Sequence, residues 1–170
     1  FGLYVRPAGG AEREQTLLES SEAANAHVHD WSRDGPFALF SQVDASAGTD
    51  RDILVLPMEG DHKPRVLVAS ANNQDRPRFS ANSRWVAYQT NETGSYRVYV
   101  VPFPATGGEW QASSAEGTQP LWSGTGKELY YLSPDNAIMA VDVRETGSTI
   151  GFGTARPLFH VPVAPVPGWA

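Results

Sequence analysis

Cysteine is absent from the 170-residue chain, which excludes a disulfide framework, a thiolate nucleophile and any zinc site built on thiolates. Long apolar runs are missing as well. No stretch approaches the ~18 residues of a membrane-spanning helix, so no membrane insertion by helices is expected. There is no basic excess either: 13 Lys and Arg stand against 19 Asp and Glu, for a formal charge of −6 and a pI near 5.1. The cations never cluster, which argues against nucleic acid as a partner. The chain begins at Phe1 with neither an initiator Met nor a signal-peptide pattern, and the expectation is a piece processed or cut from something longer.

Several chemical motifs are present only in fragments. Ser123 to Glu128 reads SGTGKE, but Leu121 stands where a phosphate loop needs its first Gly, and Glu128 replaces the Ser or Thr that would hold magnesium. Asp44, Asp50 and Asp52 crowd a loop without the twelve-residue spacing and closing Glu of a calcium loop, and read as a solvated hairpin tip. No Gly-x-Ser-x-Gly elbow accompanies the serines. His27 and His29, two apart on a strand, could share a metal with Asp30. His29 nevertheless takes the place held elsewhere by Pro77 and Pro120, so the reading is structural, facing solvent or a central channel. No catalytic residue, metal or cofactor is assigned.

What the sequence does have is a paragraph written three times. Aromatic-Ser pairs at Trp31-Ser32, Phe79-Ser80 and Trp122-Ser123 recur at intervals of 48 and 43 residues, inside the range of propeller and solenoid repeats. Each pair precedes a turn, at Arg33-Asp34-Gly35, Ala81-Asn82-Ser83 and Gly124-Thr125-Gly126, whose residues tolerate positive φ or bond their own backbone. A run apolar on both faces follows: Phe37 to Phe40, Trp85 to Tyr88, Leu129 to Leu132. Then come Asp52 to Leu56, Tyr96 to Val101 and Ile138 to Val143, and a weaker fourth run at Arg65 to Val68, Trp110 to Ala112 and Pro157 to Phe159. Four antiparallel strands per block, covered on both faces, require neighbouring sheets, and sheets of this length set radially make a β-propeller. The first residues, Leu3 to Pro7 and Glu14 to Leu18, match the last two strands of a block. The expected architecture is all-β, a partial ring of about three and a half four-stranded antiparallel blades: half a blade over 1–26, blades over 27–75, 76–118 and 119–160, and a Pro-rich tail over 161–170.

These blocks resemble TolB-like, Asp-type propeller repeats. More narrowly, WSRDG, RFSANSRWVAYQTNETGSYRVYVVPFP, TQPLWSGTGKELYYLSPDN and ARPLF are similar to the C-terminal propeller of bacterial receptor-type serine/threonine kinases. The second and third turns depart from the Pro-Asp-Gly pattern but keep turn chemistry. The first functional reading, with no catalytic motif in the chain, is a non-enzymatic module that docks a protein or peptide ligand; the resemblance to the kinase propellers implies an extracytoplasmic, periplasmic location. Two alternatives stay open: a substrate-gating accessory propeller of a prolyl-oligopeptidase-type hydrolase, and a stand-alone structural repeat protein. Open strand edges recruit other strands, so the chain is expected either to complete its ring as a homo-oligomer or to belong to a longer protein.

Candidate ligand-binding residues are those that vary between otherwise equivalent places. Trp31, Phe79 and Trp122 repeat and read as blade-on-blade packing. Asp30, Arg78 and Leu121 differ at one place, Val28, Arg76 and Gln119 at another. Asp30, Arg76, Arg78 and Gln119 are the candidates; Arg76 and Arg78, two apart on one strand, read either as paired guanidiniums for an anionic group or, the blander alternative, as solvated arginines near Asp75.

Overall fold

A serine closes the same turn in all three repeats. The Ser32, Ser80 and Ser123 hydroxyls accept hydrogen bonds from the N–H groups of Phe37, Trp85 and Glu128, each at 3.1 Å. Their own N–H groups donate to the carbonyls of the same three residues at 2.8 to 2.9 Å. The third turn residue takes positive φ, at 91° for Gly35, 55° for Ser83 and 71° for Gly126. Glycine does this without a Cβ penalty; Ser83 accepts the cost, held by its N–H to the Ser80 carbonyl at 3.0 Å. The aromatic-Ser signature therefore marks the joint between the first two strands of each sheet.

The computed structural model describes residues 2–6, 8–10, 13–19, 25–43 and 50–162, so Asp44 and the tail beyond Pro162 lie outside the described residues. No helix occurs among them, and all strand pairs are antiparallel. β1 (Leu3–Val5) and β2 (Gln15–Leu18) form a two-stranded sheet. β3 (His27–Trp31), β4 (Phe37–Val43), β5 (Arg51–Pro57) and β6 (Arg65–Val68) form the first whole blade. β7 (Gln74–Phe79), β8 (Trp85–Thr90), β9 (Arg97–Pro102) and β10 (Trp110–Gln111) form the second. The third contains β11 (Thr118–Trp122), β12 (Glu128–Leu132) and β13 (Ala137–Thr146), with both β14 (Thr149–Phe152) and β15 (Arg156–His160) paired to β13. The described part is thus three whole blades and half of another, as the repeat predicts.

Alternation along the middle strands sends side chains to two different cores. In the first blade Ala38, Phe40 and Leu56 face back onto Leu17 and Leu18 of the half blade, while Leu39, Ile53 and Val55 face forward onto Phe79, Val86 and Tyr88. In the second, Trp85, Ala87, Val98 and Val100 face forward onto Trp122, Leu129, Tyr131 and Val141. Phe103, in the loop after β9, meets Phe37 and Phe79 edge-on at 5.0 and 5.1 Å between ring centroids. Each fully buried Leu, Ile or Phe contributes ~1.5–3 kcal/mol, so these layers carry most of the cohesion. The blades approach most closely along their first strands, β3 against β7 and β7 against β11, with no comparable contact from β6 to β10. That wedge shape is the radial arrangement of a propeller.

The third blade departs from the four-strand expectation. β13 runs ten residues; its first part pairs with β12 and β15, while Val143 to Thr146 continue outward and pair with β14 across a turn at Gly147. This arm reaches back over the second blade. Ile150, with Val143 and Phe152 beside it, packs into the core containing Trp85. Arg84 donates to the Gly147 carbonyl at 2.6 Å and pairs with Glu145 at 3.4 Å, and Asn82 donates to both Glu145 oxygens.

Ser80 is buried, so Ser80→Ala removes an acceptor that water cannot replace. The expected loss is ~1–3 kcal/mol in equilibrium denaturation; a change inside the noise would mean the turn does not depend on its serine.

Candidate ligand-binding site at the inner strands

Each first strand carries a bulge. Register slips between Val28 and Asp30 against β4, between Asp75 and Arg78 against β8, and between Thr118 and Leu121 against β12. Arg76 and Gln119 sit in these bulges with φ of 53° and 54°, an unusual conformation for non-glycine residues. The equivalent Val28 does not adopt it, consistent with its branched Cβ. A bulge breaks the two-residue alternation. Arg76 is consequently exposed while Arg78 is half-buried, its guanidinium donating to the His29 carbonyl of the preceding blade. Spacing alone allows the two guanidiniums to pair on one face, but the bulge sends them apart, Arg76 to solvent and Arg78 to the preceding blade.

His29 also differs from expectation. Only 13% of its side chain is exposed, and it turns from solvent into the joint between the first two blades. Its Nε2 lies 2.8 Å from the Ser41 hydroxyl and 3.1 Å from Asp75. Ser41 donates to Asp75 at 2.7 Å. These are the residue types of a hydrolytic triad, but the serine donates to the carboxylate instead of to the imidazole and is fully buried, so its oxygen cannot reach a substrate. The cluster ties β3, β4 and β7 together. Burial would raise the Asp75 carboxyl, yet hydrogen bonds from His29, Ser41 and the Arg76 N–H outweigh it and hold the group well below the usual carboxylate range.

At the end of the same strands nearest the turns, three blades contribute to one polar cavity of about 150 Å3, lined among others by Asp30, Trp31, Arg33, Arg78, Leu121 and Ser123. Both Asp30 oxygens are already used: one accepts the Trp31 N–H at 2.9 Å and the other the Phe79 N–H of the next blade at 2.8 Å. Arg33, which sequence reasoning passed over as a turn residue, has no hydrogen-bond or ion-pair partner among the described residues and is exposed. Trp122 donates its indole N–H to the Arg78 carbonyl at 3.0 Å, whereas Trp31 is 44% exposed and bonds the Gly35 carbonyl at 2.6 Å. Trp31 is therefore not buried like its two counterparts, because the sheet preceding it has only two strands. Of the four candidates, Asp30 and Arg78 meet in this cavity. Arg76 does not line it, and Gln119, whose N–H donates to Gln89 at 2.8 Å, lines a separate apolar depression of about 600 Å3 on the last sheet.

Comparison with known proteins sharpens the fold. A putative TolB from Agrobacterium tumefaciens superposes with a TM-score of 0.68 at 15% identity, over 91% of this chain and 56% of that one. The fold is a partial TolB-like β-propeller. TolB from Acinetobacter baumannii gives 0.66 at 12% identity, over 89% of this chain and 37% of that one. A structure from a study of two prolyl endopeptidases gives 0.56 at 19%, over 94% of this chain and 25% of that one. The TolB-like chain thus spans about half or less of these neighbours. No protein-family profile matches it, and no curated protein matches either.

The Asp75 cluster gives a signed pH dependence. Because its folded pKa lies below the ordinary value of 3.8, its stabilisation is complete above that value and is lost as pH falls toward the folded pKa. Asp75→Asn should cost ~1.5–3 kcal/mol at neutral pH. It should also flatten the fall in stability from pH 5 to pH 2 in urea titrations; parallel acid slopes for both proteins would remove Asp75 from the account.

Proposed function

We propose that this propeller is a non-enzymatic binding module that receives a protein or peptide ligand at the inner-strand cavity, of the kind carried by receptor kinases. One observation carries the reading. Where the packing positions repeat from blade to blade, this cavity gathers the residues that do not repeat, Asp30, Arg78 and Leu121, beside an exposed Trp31 ring and the unpaired Arg33. Two guanidiniums, Arg33 and Arg78, outnumber the single carboxylate of Asp30 in the lining, so the net charge of the cavity is cationic. A guanidinium beside an indole face suits an acidic peptide segment, the planar fork taking the carboxylate and the ring its apolar stem. The cluster of His29, Ser41 and Asp75 supports the cavity from behind by holding the first two blades in register.

The second reading, an accessory propeller that filters substrate for a peptidase, draws on the prolyl endopeptidase neighbour. It uses the same opening without a catalytic group of its own. Hydrolysis of peptide or ester substrates by the purified chain would overturn both.

Fluorescence anisotropy with labelled acidic, neutral and basic decapeptides tests the site. Acidic peptides should bind best, with affinity falling as salt is raised. Arg33→Glu should weaken acidic-peptide binding about tenfold or more, equivalent to ~1.4 kcal/mol, while leaving stability unchanged. Equal binding of all three peptide classes, or indifference to Arg33→Glu, would remove the proposed site.

A further inference from the structure

The wedge between neighbouring blades widens toward the outer strands, and the chain treats two of these openings differently. Between the second and third blades the β13–β14 arm fills it: Ile150, 3% exposed, shares one core with Trp85 and Val100, against which Trp110, Val143 and Phe152 pack. Between the first and second blades the opening is a groove of about 210 Å3, lined among others by Phe37, Val55, Arg65, Leu67, Phe103 and Pro104. Both sheets that form it are whole four-stranded blades.

The two openings are the same place in the repeat. Phe37 and Trp85 each follow the serine-closed turn and face Pro57 and Pro102 across the sheet. Val55 and Val100 take one position on the third strand, and the fourth-strand residues paired with them are Arg65 and Trp110. Phe103 and Val143 also correspond, their N–H groups donating to the carbonyls of Arg84 and Lys127 at 2.7 and 2.9 Å. What differs is the chain beyond that position. After Val143 it runs outward and returns as β14, bringing Ile150 onto the core containing Trp85. After Phe103 it turns back through Gly107 and Gly108, at φ of 86° and 89°, and enters β10 directly. Trp85 is accordingly 1% exposed, whereas Phe37 stays half-buried. A cation is added as well: Arg65 stands where Trp110 does, is exposed, and has no hydrogen-bond or ion-pair partner among the described residues.

We propose that the groove between the first two blades is a second binding site, for an extended peptide segment of a partner protein that presents two apolar side chains two residues apart, with a carboxylate beside them. The arm is the pattern for the apolar pair. Alternation puts residues i and i+2 on one side of a strand, which is how Ile150 and Phe152 both reach the core of the second and third blades. In the groove one aliphatic side chain enters between Phe37 and Phe103, and the second lies over the lip as the half-buried Phe152 does at its own seat. Arg65 takes the carboxylate and so fixes the direction of the segment. This groove shares no lining residue with the inner-strand cavity, and the proposal does not depend on what that cavity binds.

Titration of the isotope-labelled full chain with a capped decapeptide carrying Ile-Gly-Phe next to one Asp, followed by amide NMR shifts, provides the test. The shifts should gather at Val55, Leu67, Phe103 and Ala105. Replacing Ile and Phe of the peptide by Ser should weaken binding about tenfold or more, and replacing its Asp by Lys about threefold. In the protein, Arg65→Glu with Ala105→Asp should weaken it about tenfold; both side chains are exposed, so the fold should survive, which circular dichroism checks. Arg33→Glu, at the inner-strand cavity, should leave this binding unchanged. The site is overturned if the Ser peptide binds as well as the Ile-Gly-Phe peptide, or if the Arg65 and Ala105 substitutions have no effect. Shifts gathered at Trp31 and Arg33 instead, or groove signals that move on dilution of the chain alone, also overturn it, the first placing the peptide in the other cavity and the second placing another copy in the groove.

Discussion

Burial of the middle strands on both faces is the constraint from which the rest of this molecule follows. A strand such as β8, whose six residues are all buried, cannot lie on a surface. Its sheet must have a neighbour before it and another behind it. Hydrophobic area of this kind is non-directional, so it dictates stacking without dictating which sheet stacks on which. Order comes from the shorter-range polar contacts along the inner strands. Asp30 accepts the Phe79 N–H, Ser41 reaches Asp75, and Gln89 accepts the Gln119 N–H, each reaching from one blade to the next and giving the greasy layers a register.

Much of this was legible in the residues. The aromatic-Ser pair, the turn after it and the doubly apolar run are each local signals with a mechanism. The structure places a hydroxyl-closed turn and a two-faced strand where they stand. The β13–β14 arm was less visible because Ile138 to Val143 already satisfied the pattern of a third strand. Its trace was there all the same: Gly147-Ser148 between Thr146 and Thr149, with Ile150 and Phe152 alternating beyond. Bulges hid more. A two-residue period assumes unbroken pleating, and each inner strand breaks it just where the candidate ligand residues lie, sending Arg76 outward and His29 inward. Arg33 was overlooked because a turn position invites a conformational explanation and nothing local marks a guanidinium as unpaired.

The same distinction separates scaffold from site. Phe79 and Trp122 are interchangeable solutions to one packing problem. Asp30, Arg78 and Leu121 share a place in the repeat but not a chemistry: one caps a backbone N–H, one grips a carbonyl of the blade behind, and one offers only apolar surface. A regular framework thereby brings irregular side chains from three consecutive blades within one small cavity, the general way in which a repeated fold acquires a specific surface.

The arm from the third blade has a bearing on how such an array can evolve. Its tip is seated on Arg84 and Asn82 of the blade before it, so those two units share a part that neither could carry away alone. Duplication or exchange of whole modules, the usual route by which tandem arrays lengthen, would separate the arm from its seat if the break fell between them. The joint after the first blade, which no arm crosses among the described residues, is held instead by single side-chain bonds from Asp30 and Ser41 to the next blade, so a unit inserted there has to supply those partners anew.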